Sequence, residues 1–190
     1  ELSPDGSLVV CGSNDFHLYA VDPVSGSVKW RQPTKGTVKG RAAFSEDSSV
    51  VCTVSDTGWA AAHSADTGAQ LWQRRIGALS PHCFPIVEQH RLFATSSKGM
   101  VVCLNLPTGE VEWVTQIRGE IGWGLTNLQK SLLVNSTSGY IVTLDKATGA
   151  KQTVSRLTTV STFQPLAYDP TTKCVVVPTS KGILCYGSDL

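Results

Sequence analysis

The side chains with most chemical potential in this 190-residue chain are its six cysteines, its four histidines and a series of aspartates set beside Ser, Thr and Gly. The cysteines stand at positions 11, 52, 83, 103, 174 and 185. No two are adjacent, and none forms the C-x-x-C spacing that structural zinc sites use. Five lie in apolar runs (Val10-Cys11, Val51-Cys52, Val102-Cys103, Cys174-Val175 and Leu184-Cys185). Free cysteine packs as a small hydrophobe, so unpaired core thiols are expected, and with them a reducing, cytoplasmic setting. His82-Cys83 with His90 is the one His/Cys grouping, but a turn and a strand separate its members, so no metal site is expected. His17 and His63 are expected on a third strand and in a turn, as satisfied surface or edge residues. No G-x-S-x-G elbow is present. The glycine-rich run Gly119-Glu120-Ile121-Gly122-Trp123-Gly124 opens no helix, so it offers no phosphate-binding helix terminus. No catalytic constellation emerges.

The aspartates belong to something larger. Asp22, Asn105 and Asp145 each open a turn of the form D/N-x-x-S/T-G, and Ser64 stands in the same place in a fourth copy. The turn glycines Gly26, Gly68, Gly109 and Gly149 follow one another at intervals of 42, 41 and 40 residues, and Trp30, Trp72 and Trp113 follow the first three. A period near 40 is the mark of a repeat architecture. Within each unit a continuous apolar run, such as Val50-Val51-Cys52-Thr53 or Leu132-Leu133-Val134, reads as a strand buried on both faces. A glycine turn follows it at Gly58, Gly99, Gly139 and Gly182, then a third strand, the D-x-x-T-G turn and a fourth strand with Trp. In the first unit Phe16 occupies the glycine position, so Asn14-Asp15 is expected to carry that turn. Ser64 predicts a looser turn than its aspartate counterparts. The first strands are the least regular, and are placed near 39–44, 82–87, 122–128 and 162–168. Pro85 and Pro165 suit these strands if one edge faces a central channel without a partner.

Four-stranded units stacked radially form a β-propeller. The predicted fold is therefore all-β, with about four and a half four-stranded antiparallel blades of a seven- or eight-bladed ring. A single domain over 1–190 is expected, with repeats near 1–35, 36–76, 77–118, 119–158 and 159–190.

The recurrent A-x-D-x-x-T-G-x-x-x-W pattern resembles the repeat of the pyrroloquinoline-quinone-type, or quinoprotein-like, β-propeller family. Ala20 to Trp30 matches with Ser25 for Thr, and Ala62 to Trp72 matches apart from Ser64. Cys103 to Trp113 keeps Asn105, Thr108, Gly109 and Trp113, while Thr143 to Thr153 keeps Asp145, Thr148 and Gly149 but loses the tryptophan. The resemblance implies that Trp30, Trp72 and Trp113 dock one blade on the next. It also implies two classes of member: quinone- and calcium-dependent dehydrogenases, and non-catalytic propellers such as a bacterial outer-membrane assembly lipoprotein or a domain of certain acyl-adenylating proteins. The alcohol-oxidising enzymes carry a vicinal cysteine pair, and this chain has no Cys-Cys. Its inner-strand segments have only Glu88 and Glu120 at their margins as carboxylates, so neither a quinone cofactor nor a calcium ion is expected.

Sixteen basic and fifteen acidic side chains leave no strong field, and no apolar run is long enough to span a bilayer. Nucleic acid and membrane insertion are not expected. Trp123 falls out of phase with the repeated tryptophans, level with Gly40, Cys83 and Phe163 of the other inner strands. With Lys39, Arg41, His82 and Gln164 beside these positions, a ring at the channel mouth is the candidate binding site. The function expected is that of a non-enzymatic scaffold for a protein partner, or a regulatory module covalently linked to other domains of a larger polypeptide. A fragment of a quinone-dependent dehydrogenase is the alternative.

Overall fold

A computed structural model describes residues 1–77, 83–156, 166–172, 174–179 and 182–186, with side chains described at all of these except 122, 123, 178, 179, 182, 184 and 186. Its described secondary structure is strand throughout, arranged as five antiparallel up-and-down sheets. The first sheet holds β1 (Val9–Gly12), β2 (His17–Val21) and β3 (Val28–Pro33), with a single bridge from Leu2 to Val9 where an inner strand would lie. The second holds β4 (Ala43–Phe44), β5 (Val50–Val54), β6 (Trp59–Ser64) and β7 (Gln70–Arg75). The third holds β8 (Ile86–Glu88), β9 (Arg91–Thr95), β10 (Met100–Asn105) and β11 (Val111–Gln116), and the fourth β12 (Ile121–Asn127), β13 (Ser131–Ser136), β14 (Tyr140–Asp145) and β15 (Lys151–Arg156). The fifth pairs β16 (Ala167–Asp169), β17 (Cys174–Thr179) and β18 (Gly182–Tyr186).

The middle strands are apolar on both faces because each is sandwiched between two neighbouring sheets. Four hydrophobic clusters fill the four gaps. Cys52, Val54 and Ala62 of the second sheet, for example, meet Leu92, Val102 and Leu104 of the third. The outer strands bury little except their tryptophans.

Each hairpin from third to fourth strand carries a register shift just before its turn, at Ala20/Val21, Ala62/His63, Cys103/Leu104 and Thr143/Leu144. The turn that follows is organised by its first side chain. Asp22 Oδ1 accepts hydrogen bonds from the Val24 and Ser25 amides at 2.9 and 2.8 Å, and Asp145 Oδ1 from the Ala147 and Thr148 amides at 3.0 and 2.8 Å. Ser64 manages one weak contact, from the Thr67 amide at 3.4 Å, which is the looser turn its type predicts. All four glycines sit at φ between 70 and 74°, the left-handed region.

These glycines have a second role. The indole of Trp30 lies on Gly68, that of Trp72 on Gly109 and that of Trp113 on Gly149. A Cβ at any of the three would come within 2.5 to 2.6 Å of a ring atom. Each indole N–H also donates to the carbonyl of the second turn residue: Trp30 to Ala65 at 2.7 Å, Trp72 to Leu106 at 2.6 Å and Trp113 to Lys146 at 3.0 Å. The tryptophan of one blade is thus received by the turn of the next. Thr153 ends that series, and the fourth and fifth sheets meet through Leu133, Ile141, Leu166, Val175 and Val177. Gly26 has no described atom within 4 Å of the space its Cβ would fill.

One expectation needs correction. The inner strands β4 and β8 are only two or three residues long and start later than expected, and Pro85 precedes β8 instead of lying within it; the expected start of the fifth inner strand, with Pro165, lies outside the described residues. Next to these short strands the blades pack closely. A Cβ on Gly12 would fall 2.2 Å from the Val38 carbonyl oxygen, and one on Gly40 1.9 Å from that of Cys83, so this backbone packs on its neighbour without an extended strand ladder. Phe16, moreover, keeps the glycine conformation at φ 63° although it has a side chain, half of which is exposed. Phe16→Gly should therefore raise stability by about 1 kcal/mol, read as a higher urea midpoint; an unchanged midpoint would show that the turn holds no strain.

The two roles of the turn glycine separate experimentally. Gly26→Ala meets only the conformational cost, about 1 kcal/mol, whereas Gly109→Ala must also displace an indole and should cost at least twice that. Equal losses in urea denaturation would exclude the lock.

Candidate functional site

The channel-side segments bring part of the predicted ring together. Lys39, Gly40 and Arg41 line one cleft of 640 Å³ with Cys11 and Asn14, and Arg41 also borders a second of 520 Å³ with Phe44, Phe84, Ile86 and Leu125. Gly40 abuts Cys83 and Gly124 abuts Phe84, so the inner segments of the second, third and fourth blades do meet at one level. Of the remaining predicted members, His82 and Gln164 lie outside the described residues, and Trp123 lies on β12 with its side chain outside them.

Both described cations already have acidic partners. Arg41 makes a bidentate pair with Glu1 at 2.7 and 2.8 Å. Lys39 Nζ stands 3.8 Å from Asp56, whose carboxylate also accepts from the Thr37 amide and hydroxyl. An anion entering this cleft would have to compete with those carboxylates. Among the described residues no three His, Cys, Asp or Glu side chains gather closely enough to hold a metal ion. The one carboxylate lining either cleft is Glu1, committed to Arg41, so the described donors do not fit a quinone-bound calcium.

The thiols divide into kinds that sequence did not separate. Cys52, Cys83 and Cys103 are buried, as expected. Burial pushes all three up in pKa, Cys103 to about 12 with Glu112 adding to the effect, so none is a nucleophile near neutral pH. Cys11 is exposed, and Cys174 is joined to Cys185 by a disulfide, which corrects the expectation of unpaired core thiols at these three positions. The β17–β18 register, Val176 opposite Cys185, places the two cysteines diagonally across one hairpin.

His63 is also corrected. It lies on β6, 2% exposed, with Nδ1 3.1 Å from the Gly68 carbonyl and Nε2 buried without a hydrogen-bond partner among the described residues. Burial holds its pKa below the ordinary value, which keeps the ring neutral and lets Nδ1–H donate to the same turn that receives Trp30.

The recurrent carboxylates are likewise consumed by structure. Asp5 accepts from the hydroxyls of Ser3 and Ser7, and Asp47 from those of Ser45 and Ser49. These bonds hold both carboxyls down at about 2. Asp22 and Asp145 are lowered too, the first chiefly by the Ser25 amide and the second by the Thr148 hydroxyl.

Serial four-stranded sheets, joined by tryptophan on glycine and carrying no assembled catalytic group among the described residues, define a partial quinoprotein-like β-propeller. Comparison with known proteins places it further: the chain belongs to the outer membrane protein assembly factor BamB family, whose PQQ_2 profile matches residues 56–186. The crystal structure of BamB from Moraxella catarrhalis is similar to it at 20% sequence identity with a TM-score of 0.82, over 98% of this chain and 56% of that one. The chain thus spans a little over half the length of that structure. No curated protein sequence matches the chain.

The turn carboxylates make a pH prediction. Asp5 and Asp47 fall from an ordinary 3.8 to about 2 in the folded protein, so the unfolded chain takes up their protons first. The stability they contribute is complete above about pH 5 and is lost as the pH falls through the folded value. The urea midpoint should drop between about pH 5 and pH 2, and less steeply in Asp47→Asn. A flat profile would show that these bonds do not favour the folded state.

Proposed function

We propose that this chain is a non-enzymatic platform for protein partners and acts as a scaffold or regulatory module within a larger polypeptide, such as one with an acyl-adenylating domain. The observation that carries the proposal is the use to which the repeated polar groups are put. Asp, Ser, Thr and Trp side chains that look like site components in one repeat prove, across four repeats, to be turn and inter-blade bonds. What they build is a stack of rigid sheets whose loops and edges vary from blade to blade, the usual design of a recognition surface. The family's description as an assembly factor for outer membrane proteins supports a role exercised upon other proteins.

Cross-linking mass spectrometry on the full natural polypeptide, purified under native conditions, tests the reading. Cross-links should run from these blades to a second protein or to another domain of the same chain. If the protein instead gains dye-linked alcohol or sugar oxidation when supplied with quinone and calcium, and makes no such cross-links, the scaffold reading is wrong.

A further inference from the structure

We infer that the groove between the second and third blades, on the side of the tight turns, is a docking site for a peptide segment with a leucine-like anchor flanked by basic residues. The inference rests on the scaffold reading and gives it a location. It comes from a position at which one repeat departs from the others.

The residue before the lock tryptophan, or before Thr153 in the fourth repeat, is Lys29, Leu71, Glu112 and Gln152 in successive blades. Three of the four are polar and engaged. Lys29 reaches Asp22 at 3.6 Å and the Ser7 carbonyl at 3.3 Å. Glu112 pairs with Arg91 at 2.6 Å, and Gln152 accepts from Ser131 at 2.7 Å. Leu71 is the exception, an exposed leucine on an outer strand. Its second-strand counterpart has changed with it. Arg91 and Ser131 face Asn105 and Asp145, the first residues of their turns, and the residue facing Ser64 is Val50. Where the third and fourth blades have Arg–Glu and Ser–Gln pairs, the second has Val50 and Leu71.

The next blade extends this apolar strip. Leu106 and Pro107 occupy turn positions held by Ala65 and Asp66 one blade earlier. Together Val50, Leu71, Leu106 and Pro107 line a groove of 480 Å³. The equivalent groove between the first and second blades, 330 Å³, is lined by Asp5, Ser7, Lys29, Ser49, Ser64 and Asp66 among others, and is polar. One groove of a repeated series has therefore exchanged internal ion pairs and hydrogen bonds for an open apolar floor, although that exposes leucine to water.

The rim indicates what covers it. Glu46 and Asp47 stand exposed at its edge, and Asp47 is kept ionised by Ser45 and Ser49. No Lys or Arg lines the groove. An apolar floor with an acidic rim matches an aliphatic anchor next to Lys or Arg, the arrangement by which a buried contact supplies affinity and a charged rim supplies selection.

The test uses fluorescently labelled 12-residue peptides with a central Leu flanked by Lys and Arg, and matched peptides with a central Ala or with Glu flanks. The basic-flanked Leu peptide should bind, and both matched peptides should bind at least tenfold more weakly. Leu71→Lys, which installs the residue of the first repeat, should weaken binding tenfold or more with an unchanged urea midpoint. Glu46→Lys should reverse the preference between basic and acidic flanks, while Lys29→Ala in the polar groove should change nothing. Equal binding by Leu71→Lys and the parent protein, or no peptide binding at all, would overturn the docking site. The scaffold reading would then stand or fall on its own cross-links. Sedimentation at the same concentrations covers a third outcome: a dimer abolished by Leu71→Lys would assign the groove to a second copy of the chain, and the peptide would be the wrong occupant.

Discussion

Three of the four junctions between blades hang on an indole laid against a glycine. A four-stranded sheet apolar on both faces cannot persist alone in water, and hydrophobic burial, which has no direction, would let two such sheets slide or rotate against each other. The tryptophan removes that freedom. Its ring fits only where the neighbouring turn has no Cβ, and its N–H must find one particular carbonyl, so translation and rotation are fixed together. Truncating a buried tryptophan of this kind costs about 3 to 5 kcal/mol, a large part of what holds a domain folded. The side chain at the head of each receiving turn (Ser64, Asn105 and Asp145) then appears as a supporting part: it helps hold the glycine where the indole can reach it.

That dependence explains which parts of the structure were legible in the sequence. Blade number, strand order and the docking role of Trp30, Trp72 and Trp113 follow from a motif that repeats in phase, because each copy must satisfy the same geometry. The inner strands were harder. Their position depends on the approach of one backbone to another, as between Gly40 and Cys83, and such contacts leave no periodic trace in side-chain type. Phe16 shows the same limit from the other side, since a hairpin enforced by its neighbours can hold a residue in a conformation its type disfavours. His63 was misplaced because a histidine among alanines looks the same in sequence whether its second nitrogen meets water or protein. Of the channel-mouth site, the meeting of Lys39 and Arg41 in one cleft was readable, and their capture by Asp56 and Glu1 was not. Asp56 comes from the turn after a second strand, and Glu1 from the inner edge of the first blade, 40 residues from Arg41 in sequence.

A stack of this kind separates the residues that hold it together from those that are free to vary. Residues that obey the period are engaged in holding blades together, and a change at one of them is felt as lost stability. Residues that break the period are released from that duty. Leu71 departs from its polar counterparts, and no ion pair or lock depends on it. Surface chemistry can therefore vary from one groove to the next without disturbing the stack beneath.

The lock has one more property. Its two halves lie on the same eleven-residue motif, with the turn glycine near the middle and the tryptophan at the end, yet each half is used against a different neighbour. The interface is head-to-tail, and the second and third units each use both a plug and a socket. Copying such a unit in frame adds a blade that already fits the one before it and already offers a seat to the one after. A propeller built this way can gain or lose blades by gene duplication or deletion without evolving a new contact, and Thr153, where the plug has been lost, marks a junction released from that rule.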